Sequence, residues 1–126
     1  IVTLPSPPAA DGAPLLAMEE LRSMKASALL INTAAAELVD SNALAAALRS
    51  RHIAGAGYDI FETTPIEPNH PLSSLDNIVL TPHIGGATDE SIARHSQMIA
   101  TDLQKIVVGE IPVNLVNPDV WERRRG

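Results

Sequence analysis

LLINTAAAELVDSNALAAALR, residues 29–49, holds one full period of the pattern that decides the fold. It begins as an unbroken apolar run, turns polar at Asn32 and Thr33, and resumes after Asp40 with Leu44, Ala47 and Leu48 on one helical face. An unbroken run, not an alternating one, belongs to a strand of a parallel sheet covered on both faces. Asp40 or Ser41 stands where a side-chain oxygen would cap the first N–H groups of the helix. The stretch therefore predicts strand, loop and helix in succession, one unit of an α/β sheet.

The same rhythm extends in both directions. Aliphatic runs recur at residues 1–4, 53–60 and 78–80, and a helical pattern lies at residues 17–24. Strands alternating with helices predict an α/β fold with a doubly wound parallel, Rossmann-like sheet. Pro65, Pro68 and Pro71 punctuate residues 62–76 without any period, which predicts a loop held extended by its prolines. Thr88 is placed to cap a long helix over residues 88–108. Asp89 and Glu90 sit in its positive first turn, Lys105 in its negative last turn and Gly109 at C′. Its stripe of Ile92, Ile99, Leu103 and Ile106 reads as core or subunit contact.

Composition narrows the function. The 126 residues carry a formal charge of −6, and their one basic cluster is Arg123, Arg124 and Arg125 at the end of the chain. Phosphate backbones require clustered cations and bases require stacking platforms, but the aromatic residues are just Tyr58, Phe61 and Trp121. Nucleic acid is therefore not expected as a partner. Cysteine is absent, which removes disulfides and thiolate chemistry and fits a reducing compartment. No apolar run reaches the roughly eighteen residues of a membrane span, and no signal peptide opens the chain. The expectation is a cytoplasmic protein without a membrane partner. His52, His70 and His95 lack companions at metal-ligand spacing and read as surface residues, so no metal is expected.

Ligands of open α/β sheets sit beyond the carboxyl ends of the strands. Those ends carry Pro5, Ser6, Pro7 and Pro8, then Asn32 to Ala36, then Asp59, and finally Thr81, Pro82, His83, Ile84, Gly85 and Gly86. Paired glycines let backbone approach a flat ligand, and His83 is a titratable group on a constrained loop. Taken singly, a loop histidine is more often a bystander, and an aspartate at a strand end, as at Asp59, more often a helix cap or turn former. Gly55-Ala56-Gly57 is only the first half of a dinucleotide fingerprint, with Ile60 where the third glycine would fall. No phosphate cradle is encoded.

In combination, LRSMKASALLINTAAAELVDSNALAAALRSRHIAGAGYDIFETTP, HPLSSLDNIVLTPHIGGAT and GEIPVNLVNP resemble the D-isomer-specific 2-hydroxyacid dehydrogenases, in particular the D-3-phosphoglycerate dehydrogenase-like branch. The likeness runs from Val2 to about Val120. It implies a two-domain, usually dimeric, NAD-dependent oxidoreductase acting on a 2-hydroxy or 2-oxo acid. Residues 1–109 correspond to the later half of the NAD-binding domain with its returning helix, and residues 110–126 to a tail leading toward the substrate domain. By the same likeness Ser6 and Pro7 touch the cofactor, Thr33, Ala34 and Ala35 line the nicotinamide side, and Asp59 holds the carboxamide. His83 is then the acid/base, with Ile84, Gly85 and Gly86 continuing its site.

Two positions depart from the family pattern. Ala35 stands where the family has the arginine that grips the substrate carboxylate, and Thr64 where it has the glutamate that supports the histidine. Alanine cannot form a two-pronged hydrogen bond. A positioned acid/base is worth roughly 10²- to 10⁴-fold in rate and a charge clamp roughly 10²- to 10³-fold, so little turnover is expected. Glu62 replaces the glutamate only if its loop shifts, and Lys25, Arg49 and Arg51 belong on the other side of the sheet. The family's glycine loop, ribose-binding acid and most of its substrate domain precede the equivalent of Ile1. The chain is therefore expected either to be part of a longer polypeptide or to bury the edge of its first strand against another copy or partner. The competing reading is a non-catalytic α/β module for protein association or weak nucleotide binding.

Overall fold

The structure is a computed structural model that describes residues 1–123, so Arg124 and Arg125 of the basic cluster lie outside the described residues. It contains β1 (Val2–Leu4), α1 (Met18–Ser23), β2 (Leu29–Asn32), α2 (Ser41–Arg49), β3 (Gly55–Tyr58), β4 (Ile78–Leu80) and α3 (Asp89–Val107). Short 3₁₀ turns cover Ala36–Leu38 and Pro118–Val120. Residues 1–85 form one compact unit, and a second starts at Gly86. The long helix therefore groups with the tail, whereas the family likeness counts it with the nucleotide-binding region.

In the first unit the four strands pair in parallel in the order β1-β2-β3-β4. Leu4, Asn32, Tyr58 and Leu80 stand in one register row across the sheet. The residues that follow them thus emerge along one edge, about 4.8 Å apart from strand to strand. β3 is shorter than the expected 53–60 run. Its ladder still extends through Ala54 N–H to the Ala28 carbonyl and Asp59 N–H to the Asn32 carbonyl.

The core lies on one face of this sheet. Leu30, Ala56 and Tyr58 point into it and meet Leu21 of α1 and Leu44 and Leu48 of α2, with Ile53 and Leu72 closing the ends. Each fully buried leucine contributes roughly 1.5–3 kcal/mol. Asp40 caps α2 by accepting from the N–H groups of Asn42 at 2.9 Å and Ala43 at 3.0 Å. Ser41, the other candidate cap, donates instead to Glu62 at 2.8 Å.

Cover on both faces is the expectation that fails within this unit. Val79 is 69% exposed and Leu29 41%, both on the face opposite the helices. Successive right-handed crossovers that march one way along a sheet lay their helices on the same side, and α1 and α2 do so. The link from β3 to β4 contains no helix. Nor are residues 62–76 extended: the N–H groups of His70, Ser73 and Leu75 bond to the carbonyls of Glu67, His70 and Leu72, folding the segment into turns. His70, read as a surface residue, is the pivot of that segment. Its Nδ1 accepts from Leu72 N–H, its Nε2 faces Glu62 at 3.2 Å, and its ring meets Phe61 edge-on.

In the second unit Thr88 caps α3 by accepting from Ser91 N–H at 3.2 Å. Gly109 follows the helix at φ 85°, the left-handed conformation that glycine adopts without strain. The apolar stripe is exposed, with Ile99 at 61%. Asp102 ties the tail back to the helix by accepting from the N–H groups of Val113 at 2.7 Å and Asn114 at 3.2 Å. Among the described residues no helix is long and apolar enough to cross a membrane.

Candidate functional site

The carboxyl edge of the sheet gathers most of the candidate residues, but only some are joined there. Asp59 follows β3 and is 4% exposed. Its Oδ1 accepts from the Thr81 hydroxyl and from Ile84 N–H at 2.9 Å, and its Oδ2 accepts from Gly85 N–H at 2.8 Å. Its main-chain carbonyl accepts from His83 N–H, also at 2.8 Å. The aspartate thus holds the whole loop of residues 81–85.

That loop puts His83 at φ 56°, a left-handed conformation uncommon outside glycine. Such a residue persists where its surroundings over-determine it, as the Asp59 contacts do. The imidazole is exposed. A cavity of about 260 Å³ opens beside it, lined by Phe61, Thr64, Ile66, Leu80 and Pro82 among others.

The electrostatics follow from the same contacts. Burial pushes the Asp59 carboxyl up, but the Thr81 hydroxyl, the two N–H groups and the charge of His83 outweigh it and hold the carboxyl below its ordinary value. Glu62 does not supply the missing support. Its two oxygens serve Ser41 and His70, and no hydrogen bond joins it or Thr64 to His83 among the described residues.

The two glycines of the loop differ. A Cβ on Gly85 would sit 2.9 Å from Asp59 Oδ2, so glycine is needed there for the aspartate to reach the backbone. Gly86 opens the second unit, and a Cβ there meets nothing within 4 Å.

Thr33, Ala34 and Ala35 occupy the same edge after β2, shaped by a residue to which the sequence assigned no role. Asn32 is fully buried, donates from Nδ2 to the Ala35 carbonyl at 2.7 Å and accepts from Ala34 N–H at 3.2 Å. A polar residue closing an apolar run was its one legible signal; Thr81, immediately beyond β4, gave none. Ser6 and Pro7 follow β1 on the same edge, apart from the contacts that Asp59 organises.

The cations of the first unit lie elsewhere in it. Arg49 donates to the Pro71 carbonyl at 3.1 Å and Arg51 to both oxygens of Asp76. Lys25 precedes β2 and therefore sits toward the amino ends of the strands. Among the described residues no group of three His, Cys, Asp or Glu is placed to hold a metal.

Comparison with known proteins agrees with this geometry. Residues 1–85 match the family profile described as D-isomer specific 2-hydroxyacid dehydrogenase, NAD binding domain. The glyoxylate reductase of Thermofilum pendens is 47% identical over 110 residues, covering 87% of this chain and 32% of the relative. That of Korarchaeum cryptofilum is 46% identical over 110 residues, with 87% and 33% covered. Among solved structures, the TT0316 protein from Thermus thermophilus superposes with a TM-score of 0.81 at 40% identity, covering 92% of this chain and 37% of that one. The NAD-complexed D-isomer specific 2-hydroxyacid dehydrogenase of Lactobacillus delbrueckii gives 0.79 at 34% identity, with 92% and 39% covered. The chain spans about a third of the length of the curated relatives it matches. By the match over its first unit, this chain belongs to the D-isomer specific 2-hydroxyacid dehydrogenase family, in the NAD-binding domain.

Proposed function

We propose that this chain forms the acid/base wall of a nicotinamide site and does not turn over substrate by itself. The carrying observation is the loop of residues 81–85, anchored on Asp59, which presents His83 at the carboxyl edge of the sheet. The residues fit the nicotinamide end of NAD. A carboxylate offers about four acceptor sites, and Asp59 uses three, which leaves about one for a carboxamide N–H. Thr33, Ala34 and Ala35 would flank the ring from β2, with Ser6 and Pro7 on the β1 side and Gly85 and Gly86 continuing the His83 wall. They do not fit the pyrophosphate end, because Gly55 and Gly57 lie inside β3 against Leu29 and Ile31.

When bound, NAD supplies the hydride acceptor. His83 would hold the hydroxyl proton of the substrate at a ring nitrogen, and Asp59 would keep the loop that carries it in place. With alanine at 35 and threonine at 64, neither grip on a substrate carboxylate nor a carboxylate partner for the imidazole comes from the family's positions. The family likeness suggested the phosphoglycerate dehydrogenase-like branch, whereas the curated relatives carry the name glyoxylate reductase. In the whole protein we assign residues 1–109 to the nucleotide-binding region and residues 110–126 to the path toward a substrate domain, in a cytoplasmic dimer.

Calorimetry with NAD and absorbance assays with NADH and glyoxylate test this reading. Binding weaker than micromolar and no detectable turnover are expected. Micromolar affinity would contradict the lack of a phosphate site, and turnover abolished by His83→Ala would contradict inactivity. A strand, glycine fingerprint and helix encoded upstream of Ile1 would identify the chain as part of a longer dehydrogenase.

The uncovered sheet face at Val79 and Leu29 favours association as a second reading. Light scattering that gives a dilution-resistant monomer would count against it.

A further inference from the structure

We infer that Glu62 and His70 are positioning residues for the cavity beside His83: together they hold the segment that forms one of its walls. This rests on the reading of His83 as the acid/base and concerns how that same site is shaped.

The wall is a single segment without backbone support. Phe61, Thr63, Thr64, Pro65 and Ile66 all line the cavity. Among the described residues, positions 60–66 make no hydrogen bond from main chain to main chain. Secondary structure therefore does not fix this wall, and side chains have to. The loop that carries His83 is held separately, on Asp59.

Two side-chain grips on the segment meet at His70. The Phe61 ring lies between those of Tyr58 and His70, each with its centroid 5.5 Å away. Glu62, the member of residues 61–66 that does not line the cavity, accepts from the Ser41 hydroxyl at 2.8 Å and faces His70 Nε2 at 3.2 Å. Leu72 N–H donates to His70 Nδ1 at 3.3 Å, so in the neutral ring the hydrogen sits on Nε2 and points at the carboxylate. Both ring nitrogens are thus engaged, and the His70 side chain is 11% exposed, although Thr63, Thr64 and Pro65 are exposed. Ser41 belongs to α2, whose Leu44 and Leu48 are fully buried, so the clamp ties the wall to the core.

Placement of this wall bears on the chemistry at His83. Reacting groups displaced by about 1 Å can lose roughly a hundredfold in rate. The spacing between the wall and the imidazole has two independent anchors, Asp59 for the His83 loop and Glu62 with His70 for the segment at Thr64.

Nuclear magnetic resonance on the full chain tests this. Glu62→Ala and His70→Phe are each expected to shift the Ile66 methyl resonances and the His83 ring protons. Order parameters at Thr63 and Thr64 should fall from about 0.85, the value of rigid backbone, toward about 0.6. Phenylalanine at 70 keeps an aromatic edge against Phe61 and removes both polar contacts, so that variant isolates the clamp. Glu62→Gln should stay close to the parent, because its carbonyl can accept from His70 while its amide donates to the Ser41 oxygen. The amide resonances of Leu30 and Leu44 in the core, and hydrogen exchange at Gly85, should hold in all three variants. Unmoved Ile66 and His83 resonances in either disruptive variant would overturn the assignment. So would Glu62→Gln moving them as far as Glu62→Ala, or the core amides moving with them. The acid/base reading fails on other grounds, the NAD and upstream-sequence tests above, so the two failures are separable.

Discussion

Asp59 and His83 are joined through both main chain and side chain: the His83 N–H meets the Asp59 carbonyl at 2.8 Å, and the Asp59 carboxylate takes the N–H groups of the two residues that follow His83. The imidazole is thereby carried on a loop whose conformation the aspartate dictates. Asp59→Asn would set an amide N–H against donors that now meet an acceptor. A buried donor left unpaired costs about 1–3 kcal/mol. We expect a loss of that size in urea denaturation, with faster hydrogen exchange at Ile84 and Gly85. Thr81→Val, which removes one donor and spares the other two, should cost less. Unchanged exchange at Gly85 in Asp59→Asn would refute the anchoring role.

Gly85 and Gly86 make a paired test of the same contact. Alanine at 85 places a methyl group 2.9 Å from Asp59 Oδ2, so either the loop or the aspartate has to move. Alanine at 86 meets nothing within 4 Å. Gly85→Ala should therefore lower stability by about 1–3 kcal/mol, as crowding in a packed site does, and shift the His83 ring resonances. Gly86→Ala should stay within about 0.5 kcal/mol of the parent, the usual range for exposed positions. Equal effects at the two positions would show that Asp59 is not what requires the glycine.

Much of this architecture was legible in local pattern. The run at residues 29–32, the cap at Asp40 and the start of α3 at Thr88 depend on neighbours within a few residues, which is the distance over which capping and periodicity act. The Asp59 anchor depends on donors 22 to 26 residues away, so local pattern alone favoured a helix cap or turn former there. The loop at residues 62–76 misled for a related reason. Its prolines argue for extension, whereas its turns are organised by His70 and Glu62, whose partners include Ser41 on α2. Cover on one face of the sheet was hidden because Leu29 and Val79 are apolar although this unit leaves them exposed.

Asp40 and Ser41 are adjacent, and either is a credible cap by residue type, yet the structure gives the work to Asp40 alone. Asp40→Ala should cost about 0.5–2 kcal/mol and reduce the helical signal in circular dichroism. Ser41→Ala leaves both capped N–H groups paired and instead deprives Glu62 of a donor. Its effect should appear as loosening of the Glu62 and His70 contacts, seen in the His70 ring resonances, with helical content retained. Loss of helix in Ser41→Ala and not in Asp40→Ala would reverse the assignment.

The pH dependence of stability has two limbs with different origins. Asp59 has its carboxyl held below the ordinary value in the folded chain, so between the folded and unfolded values the unfolded state binds more protons. Stability from this group is fully present above its ordinary value of 3.8 and declines as pH falls through the lower folded value. Tyr58 gives the opposite limb. Burial raises its phenol above 10.0, so its contribution is present below the unfolded value and is lost as pH rises through the folded one. Denaturation midpoints measured from pH 2 to pH 11 should fall toward both ends. Asp59→Asn should shallow the acid limb, to which Glu62 and Asp102, also held below their ordinary values, contribute as well, and leave the alkaline one; Tyr58→Phe should do the reverse while losing the hydroxyl bond to the Ala36 carbonyl at 3.3 Å. An acid limb that keeps its full slope in Asp59→Asn would show that other carboxylates govern it, and that the ionised aspartate is not what holds the His83 loop.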